Sequence, residues 1–139
     1  MTDRPVAYVL DSYALLAHFE AEPGGLLVRG LLEAARDQMA TLYVSLINAG
    51  ELYYTTHRER GARQAETLLA DLRELPLTLS PVSEERIFAA ARLKAEHSIS
   101  YADAFAAALA QELGATLVTG DPEFKAVEPV TPVMWLLDR

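Results

Sequence analysis

The chain has 139 residues, 51% hydrophobic and 23% charged, which is the balance of a globular protein long enough to bury a sizeable core. A single domain spanning residues 1–139 is the expectation. A formal net charge of −8 argues against a nucleic-acid binder that works through a basic footprint, although it suits an enzyme that meets phosphate through cations held in an acidic pocket, or a basic protein partner. No apolar run reaches the roughly 18 to 20 residues of a membrane span, and with no cysteine there is no disulfide framework, thiolate metal site or cysteine nucleophile. The opening MTDRPVAYVLDSYALLAHF places Asp11 inside its apolar stretch and has no small-residue cleavage site, so a cytoplasmic location without a secretory leader is expected.

In chain order, VAYVL (6–10) is an apolar strand, followed by helical patterns over Ser12–Ala21 and Gly25–Gln38. TLYVS (41–45) is the second strand, and the helices Leu46–Arg58 and Ala62–Arg73 follow it, separated at Gly61. LPLTL (75–79) is a third strand. Ser83, trailed by Glu84 and Glu85, is the N-cap of a helix running to His97, its acids suiting the positive end of the helix dipole. The helix Tyr101–Leu113 closes on Gly114, where a left-handed residue is expected, and leads into ATLVT (115–119). PVTPVMW (129–135) is a weaker fifth strand. The strands lack polar alternation, as strands covered on both faces do, and their alternation with helices predicts an α/β fold of three α/β/α layers around a parallel sheet of four to five strands.

Four acids fall at one edge of such a sheet. Asp11 follows the first strand, Glu51 lies on the helix after the second, Asp103 opens the helix that returns to the fourth, and Asp121 leaves that strand in LVTGDPEF. Strand carboxyl ends share one edge, where open α/β sheets bind their ligands. Each acid has a plain structural reading as well. Asp11 could cap the helix at Ser12, Asp103 could complete a capping box opened by Ser100, Asp121 before Pro122 could cap a helical turn, and Glu51 could face solvent. Together they are costly: two carboxylates about 5 Å apart repel by roughly 3 kcal/mol at an effective dielectric near 20. A hard divalent cation such as Mg²⁺ or Mn²⁺ removes that cost, and the chemistry then expected is metal-assisted phosphodiester hydrolysis.

The segments YVLDSYALLAHF, INAGELYY and SISYADAFAAALAQELGATLVTGDPEF, in that order, resemble PIN-domain ribonucleases, particularly the VapC-like toxins of toxin–antitoxin pairs. The resemblance runs from Val9 to Phe124, and its most specific part is Ala102–Phe124. It implies that Asp11, Glu51, Asp103 and Asp121 form an acidic quartet binding Mg²⁺ or Mn²⁺, with Ser12, Thr119 and Glu123 in supporting places. It also implies a sheet ordered 3-2-1-4-5, an RNA substrate, a cognate antitoxin and a homodimer. DSY departs from the commoner DTS of the family; serine keeps the hydroxyl, and Tyr13 alters the mouth of the pocket.

His18, His57 and His97 show no ligand spacing and are expected to pack or face solvent. The basic cluster HRERGAR, with Arg58, Arg60 and Arg63, is either a solvated helix junction or a track for an RNA backbone. Leu26, Leu27, Leu31 and Leu32 form a helical stripe that is mostly core, and any exposed part would suit an antitoxin helix or second subunit. Two other readings compete with a metal-dependent endoribonuclease toxin. One is a PIN-like RNA- or protein-binding module of little catalytic power. The other is a different aspartate-dependent α/β enzyme: a haloacid-dehalogenase-like phosphatase wants an acid where Tyr13 stands, and a receiver domain wants a phosphoacceptor where the third strand ends in TLSPV.

Overall fold

The computed structural model describes residues 4–136. The elements are β1 (Val6–Leu10), α1 (Ser12–Phe19), α2 (Gly25–Arg36), β2 (Ala40–Ser45), α3 (Leu46–Arg60), α4 (Ala62–Glu74), β3 (Thr78–Ser80), α5 (Glu84–Glu96), α6 (Tyr101–Leu113), β4 (Thr116–Thr119) and β5 (Val133–Trp135). One five-stranded sheet is ordered β3-β2-β1-β4-β5, and every pairing is parallel. The order expected from the family resemblance therefore holds.

Adjacent residues of the central strands enter opposite cores, because strand side chains alternate between faces. Val9 and Leu117 join Ala90, Leu93, Phe105, Leu109 and Phe124 on the α5–α6 side. Leu10 and Val118 join Leu15, Val28, Leu32, Leu52 and Leu72 on the other. Helices thus cover both faces, and this is why the strands carry no polar alternation. Helix α6 is buried without interruption from Asp103 to Ala110, and its alanines let it lie close to the sheet and α5 at once.

Differences from the sequence-based boundaries have local causes. The expected strand 75–79 narrows to Thr78–Ser80, since Leu75 caps α4 and the Leu77 N–H turns back to the Leu75 carbonyl. The fifth strand shrinks to Val133–Trp135 because Thr131 N–H bonds Val127 and the prolines have no N–H to donate. Helices α1 and α2 stop short of Ala21 and Gln38, both of which take positive φ. Between β4 and β5, Pro122–Val127 forms a 3-10 helix with Asp121 as its N-cap, the helical turn that the plain structural reading of that acid allowed. Gly61 and Gly114 occupy positive φ at the helix breaks assigned to them.

Two glycines of α2 have opposite roles. A Cβ on Gly25 would fall onto the Ala17 carbonyl of α1, whereas one on Gly30 would meet nothing within 4 Å. Gly25→Ala is expected to destabilise by about 1–3 kcal/mol, because backbone must shift. Gly30→Ala should stabilise by about 0.5–1 kcal/mol through helix propensity. Urea denaturation midpoints moving in opposite directions check both.

Candidate metal centre

The site is assembled at the carboxyl edge of the two central strands. The parallel register pairs Leu10 with Val118, and so sets Asp11 beside Thr119. Asp11 is only 1% exposed. Its Oδ1 accepts from Ala14 N–H at 2.9 Å as the N-cap of α1, and its Oδ2 accepts from Thr119 Oγ1 at 2.6 Å. Thr119 Oγ1 in turn accepts from Asp121 N–H at 3.0 Å. One hydroxyl therefore orders two of the predicted acids, donating to one side chain and accepting from the other's backbone.

The start of α6 departs from a simple capping box. Ser100 Oγ accepts from Asp103 N–H at 3.1 Å, as the box requires. The reciprocal bond to Ser100 N–H comes from Glu123 Oε1 at 3.0 Å. Glu123 takes over the capping duty from a distant segment, and the Asp103 carboxylate is left for the cleft. Asp121 caps the 3-10 helix, its Oδ1 accepting from Glu123 N–H at 2.9 Å. Across the cleft, Ser12 Oγ donates to Glu51 Oε1 at 2.7 Å, joining α1 to α3.

Asp11, Glu51, Asp103, Asp121 and Glu123 line one cleft of about 280 Å³, with Ser12 and Ser100 among its polar groups and Tyr13, Leu16 and Leu52 among its walls. The closest group is Asp103, Asp121 and Glu123, which offer one carboxylate oxygen each within 4.8 Å of one another. Every acid of the expected quartet reaches the cleft. The tight cluster nevertheless includes Glu123, expected only in a supporting place, and leaves Asp11 and Glu51 on the flank. Tyr13 packs over Gly120, where an added Cβ would lie 2.8 Å from Cζ and 3.0 Å from Cδ1 of the ring.

Burial and mutual repulsion show in the proton affinities. Asp11 is pushed up to about 7, first by loss of water and then by the charges of Asp121 and Glu51, against the opposing hydrogen bonds from Thr119 and Ala14. Asp103 is pushed up to about 8, again chiefly by burial, then by its hydrogen bond with Glu123 and the charges of Glu123, Asp121 and Asp11. Glu123 moves down, held ionised by the hydrogen bond from Asp103 and by Ser100 N–H. The opposite shifts of this pair make Asp103 the proton-holding partner and Glu123 the ionised one when no cation neutralises the cluster. These are hard oxygen donors, close-set and short of counter-charge, so they fit a hard divalent cation, which would displace that proton.

A model of the PIN domain matches residues 8–129. The chain belongs to the PIN domain family. All five acids lie within the matched residues. No curated protein matches the chain in sequence. Among solved structures, 43 chains match. VapBC2 from Rickettsia felis, bound to a DNA fragment from its promoter, is 22% identical with a TM-score of 0.74, over 95% of this chain and 100% of that one. DNA-bound VapBC from Salmonella typhimurium is 15% identical with a TM-score of 0.71, over 93% and 97%. VapC20 from Mycobacterium tuberculosis, described as a sarcin–ricin loop cleaving toxin, is 17% identical with a TM-score of 0.67, over 87% and 94%. At these identities the likeness establishes the fold.

One contributor had no signal in the sequence. Asn48 is fully buried on α3 of this PIN domain, and its amide donates to the Ala102 carbonyl at 3.2 Å, tying α3 to the turn that carries Asp103. Only a side chain's direction could have revealed it.

Raised carboxyl pKa values have a definite consequence for stability. The unfolded chain releases the Asp11 and Asp103 protons near pH 4, while the cation-free native state keeps them to about 7 and about 8. Between those limits the native state binds more protons, so stability falls as pH rises. Asp103→Asn should flatten that decline and raise the cation-free unfolding free energy at pH 8 by about 1 kcal/mol or more. Urea titrations across pH 5 to 8.5 in EDTA test it; an unchanged slope contradicts the buried-acid account.

Proposed function

We propose that this PIN domain protein is an endoribonuclease dependent on Mg²⁺ or Mn²⁺, and the toxin of a toxin–antitoxin pair. The observation that carries the proposal is the close set of Asp103, Asp121 and Glu123 oxygens beside the buried Asp11, on a fold that can be shared by RNA-cleaving toxins. A divalent cation held there supplies a Lewis acid for the phosphate oxygens and lowers the pKa of water. The chain's own contribution is placement. Thr119 locks the Asp11 carboxylate against the β1–β4 edge, and Ser12 holds Glu51 across the cleft as a ligand or water-orienting group. Glu123 anchors the first turn of α6, so that Asp103 faces the same space as Asp121.

The toxin role is supported by solved structures that share the fold, among them a toxin–antitoxin complex from Klebsiella pneumoniae and a member of the VapBC family of toxin–antitoxin systems from Mycobacterium tuberculosis. An antitoxin chain, an RNA substrate and a homodimer belong to this reading, as does work in the cytoplasm. No helix among the described residues is long and apolar enough to cross a membrane.

Purified protein is expected to cleave RNA with Mg²⁺ or Mn²⁺ and to lose that activity in EDTA, while Asp11→Asn lowers the rate at least about 100-fold. Full activity in EDTA or in that variant defeats the mechanism. Cation binding must also expel the carboxyl proton held by Asp103, so Mn²⁺ affinity should rise between pH 6 and 8. Isothermal titration in two buffers of different ionisation enthalpy should read release of about one proton per ion. No Mn²⁺ binding at millimolar concentration would instead favour a PIN-like binding module of little catalytic power.

A further inference from the structure

Helix α3 links the acidic cleft to an exposed cation. Glu51, Leu52 and Thr55 line the cleft on this helix, opposite Ser12 and Leu16 of α1. Arg58 comes seven residues after Glu51, which is roughly 10 Å further along the axis and within about 20° of the same direction around it. Its guanidinium lies 5.0 Å from the centroid of the Tyr54 ring, and both residues are exposed, Tyr54 by 49%.

Three other arginines are held in ion pairs. Arg60 pairs with Glu20 at 3.2 Å, Arg86 with Glu112 at 3.0 Å and Arg29 with Glu33 at 3.7 Å. Among the described residues no ion pair involves Arg58, and its partner is an aromatic face. Arginine stacked on tyrosine keeps its donors at the guanidinium edge, where a phosphate can take two of them. Tyrosine and guanidinium planes are also surfaces on which unpaired bases stack.

We propose that Arg58 and Tyr54 form a binding site for single-stranded RNA at the end of the cleft. Arg58 binds a backbone phosphate next to the one held at the acids, and the Tyr54–Arg58 stack receives an adjoining base. The proposal rests on the ribonuclease reading of the cleft. Within the basic cluster it assigns the RNA-facing role to Arg58, which is stacked on Tyr54, whereas Arg60 is used in the ion pair to Glu20. A guanidinium at this place also gives a protein of net charge −8 a local attraction for a polyanion.

The test is fluorescence-anisotropy binding of a short labelled single-stranded oligoribonucleotide across a salt series, in Mg²⁺ and in an Asp11→Asn background, alongside cleavage kinetics of each variant in the active protein. Arg58→Ala should weaken binding about fivefold or more and reduce the slope of log affinity against log salt by about 0.7, the loss of one phosphate contact. Arg58→Lys should restore the slope and only part of the affinity. Tyr54→Ala should weaken binding about fivefold or more with the slope intact, and Tyr54→Phe should bind as the parent does. In the active protein these changes should raise KM more than they lower kcat. Arg29→Ala, on the exposed side of α2, controls for net charge.

Parent slope and affinity in Arg58→Ala overturn the site, as does an equal loss in Arg29→Ala. Loss of a protein partner's binding with RNA binding intact overturns it too. Should the parent cleave RNA while Arg58→Ala keeps the parental KM and slope, this inference alone fails. A parent that neither binds nor cleaves RNA removes the ribonuclease reading, and the inference with it.

Discussion

The hydrogen bond from Thr119 to Asp11 is the contact on which the site depends. It spans 108 positions of sequence at 2.6 Å and exists because β1 and β4 run parallel with Leu10 opposite Val118. A one-residue slip of that register would send Val118 and Leu117 to the wrong cores and turn the Thr119 hydroxyl away from Asp11. The apolar packing of both faces therefore enforces the polar geometry at the edge. The same strand order places the crevice beside β1 and β4, where chain connections diverge and strand ends leave room for a ligand.

The structural and chemical readings of the acids turn out to be compatible. A carboxylate has two oxygens, and here capping occupies one oxygen of Asp11 and of Asp121. Capping fixes the side chain without exhausting it. Asp103 shows the complementary arrangement: the bond its own side chain would make in a capping box is made by Glu123, so nothing at the helix start draws it from the cleft. Rigid caps on short segments thus deliver acids to a common volume more reliably than long unconstrained side chains could.

Much of this was visible in the sequence, for physical reasons that also mark the limit. Unbroken apolar runs alternating with helical patterns specify strands buried on both faces, and parallel strands gather their carboxyl ends, so Asp11 and Asp121 could be put at one edge from their positions alone. Ser83, Gly61 and Gly114 set helix ends through capping and positive φ, which are local properties. What stayed hidden depends on direction in space. Glu123 looked peripheral because nothing local says that its side chain reaches Ser100, and Asn48 is one polar residue among several on α3 until its bond to Ala102 is seen. Strand limits at 75–79 and 129–135 failed where prolines and cap bonds withdrew backbone groups from pairing.

Net charge and local charge make different demands on this molecule. An overall excess of acid would repel RNA at long range, but that field is screened beyond roughly 8–10 Å at physiological salt. Close to the cleft, the relevant quantity is the charge of the acids, of any cation they hold and of the side chains next to them. A divalent cation held there would offset two of those charges and present its own positive face to a phosphate, and burial would strengthen both effects because less water screens them. The same burial that destabilises ionised Asp11 and Asp103 in the cation-free protein would strengthen their hold on a cation bound between them. Stability without a cation and affinity for one would then be opposed by a single cause, the exclusion of water from the end of β1.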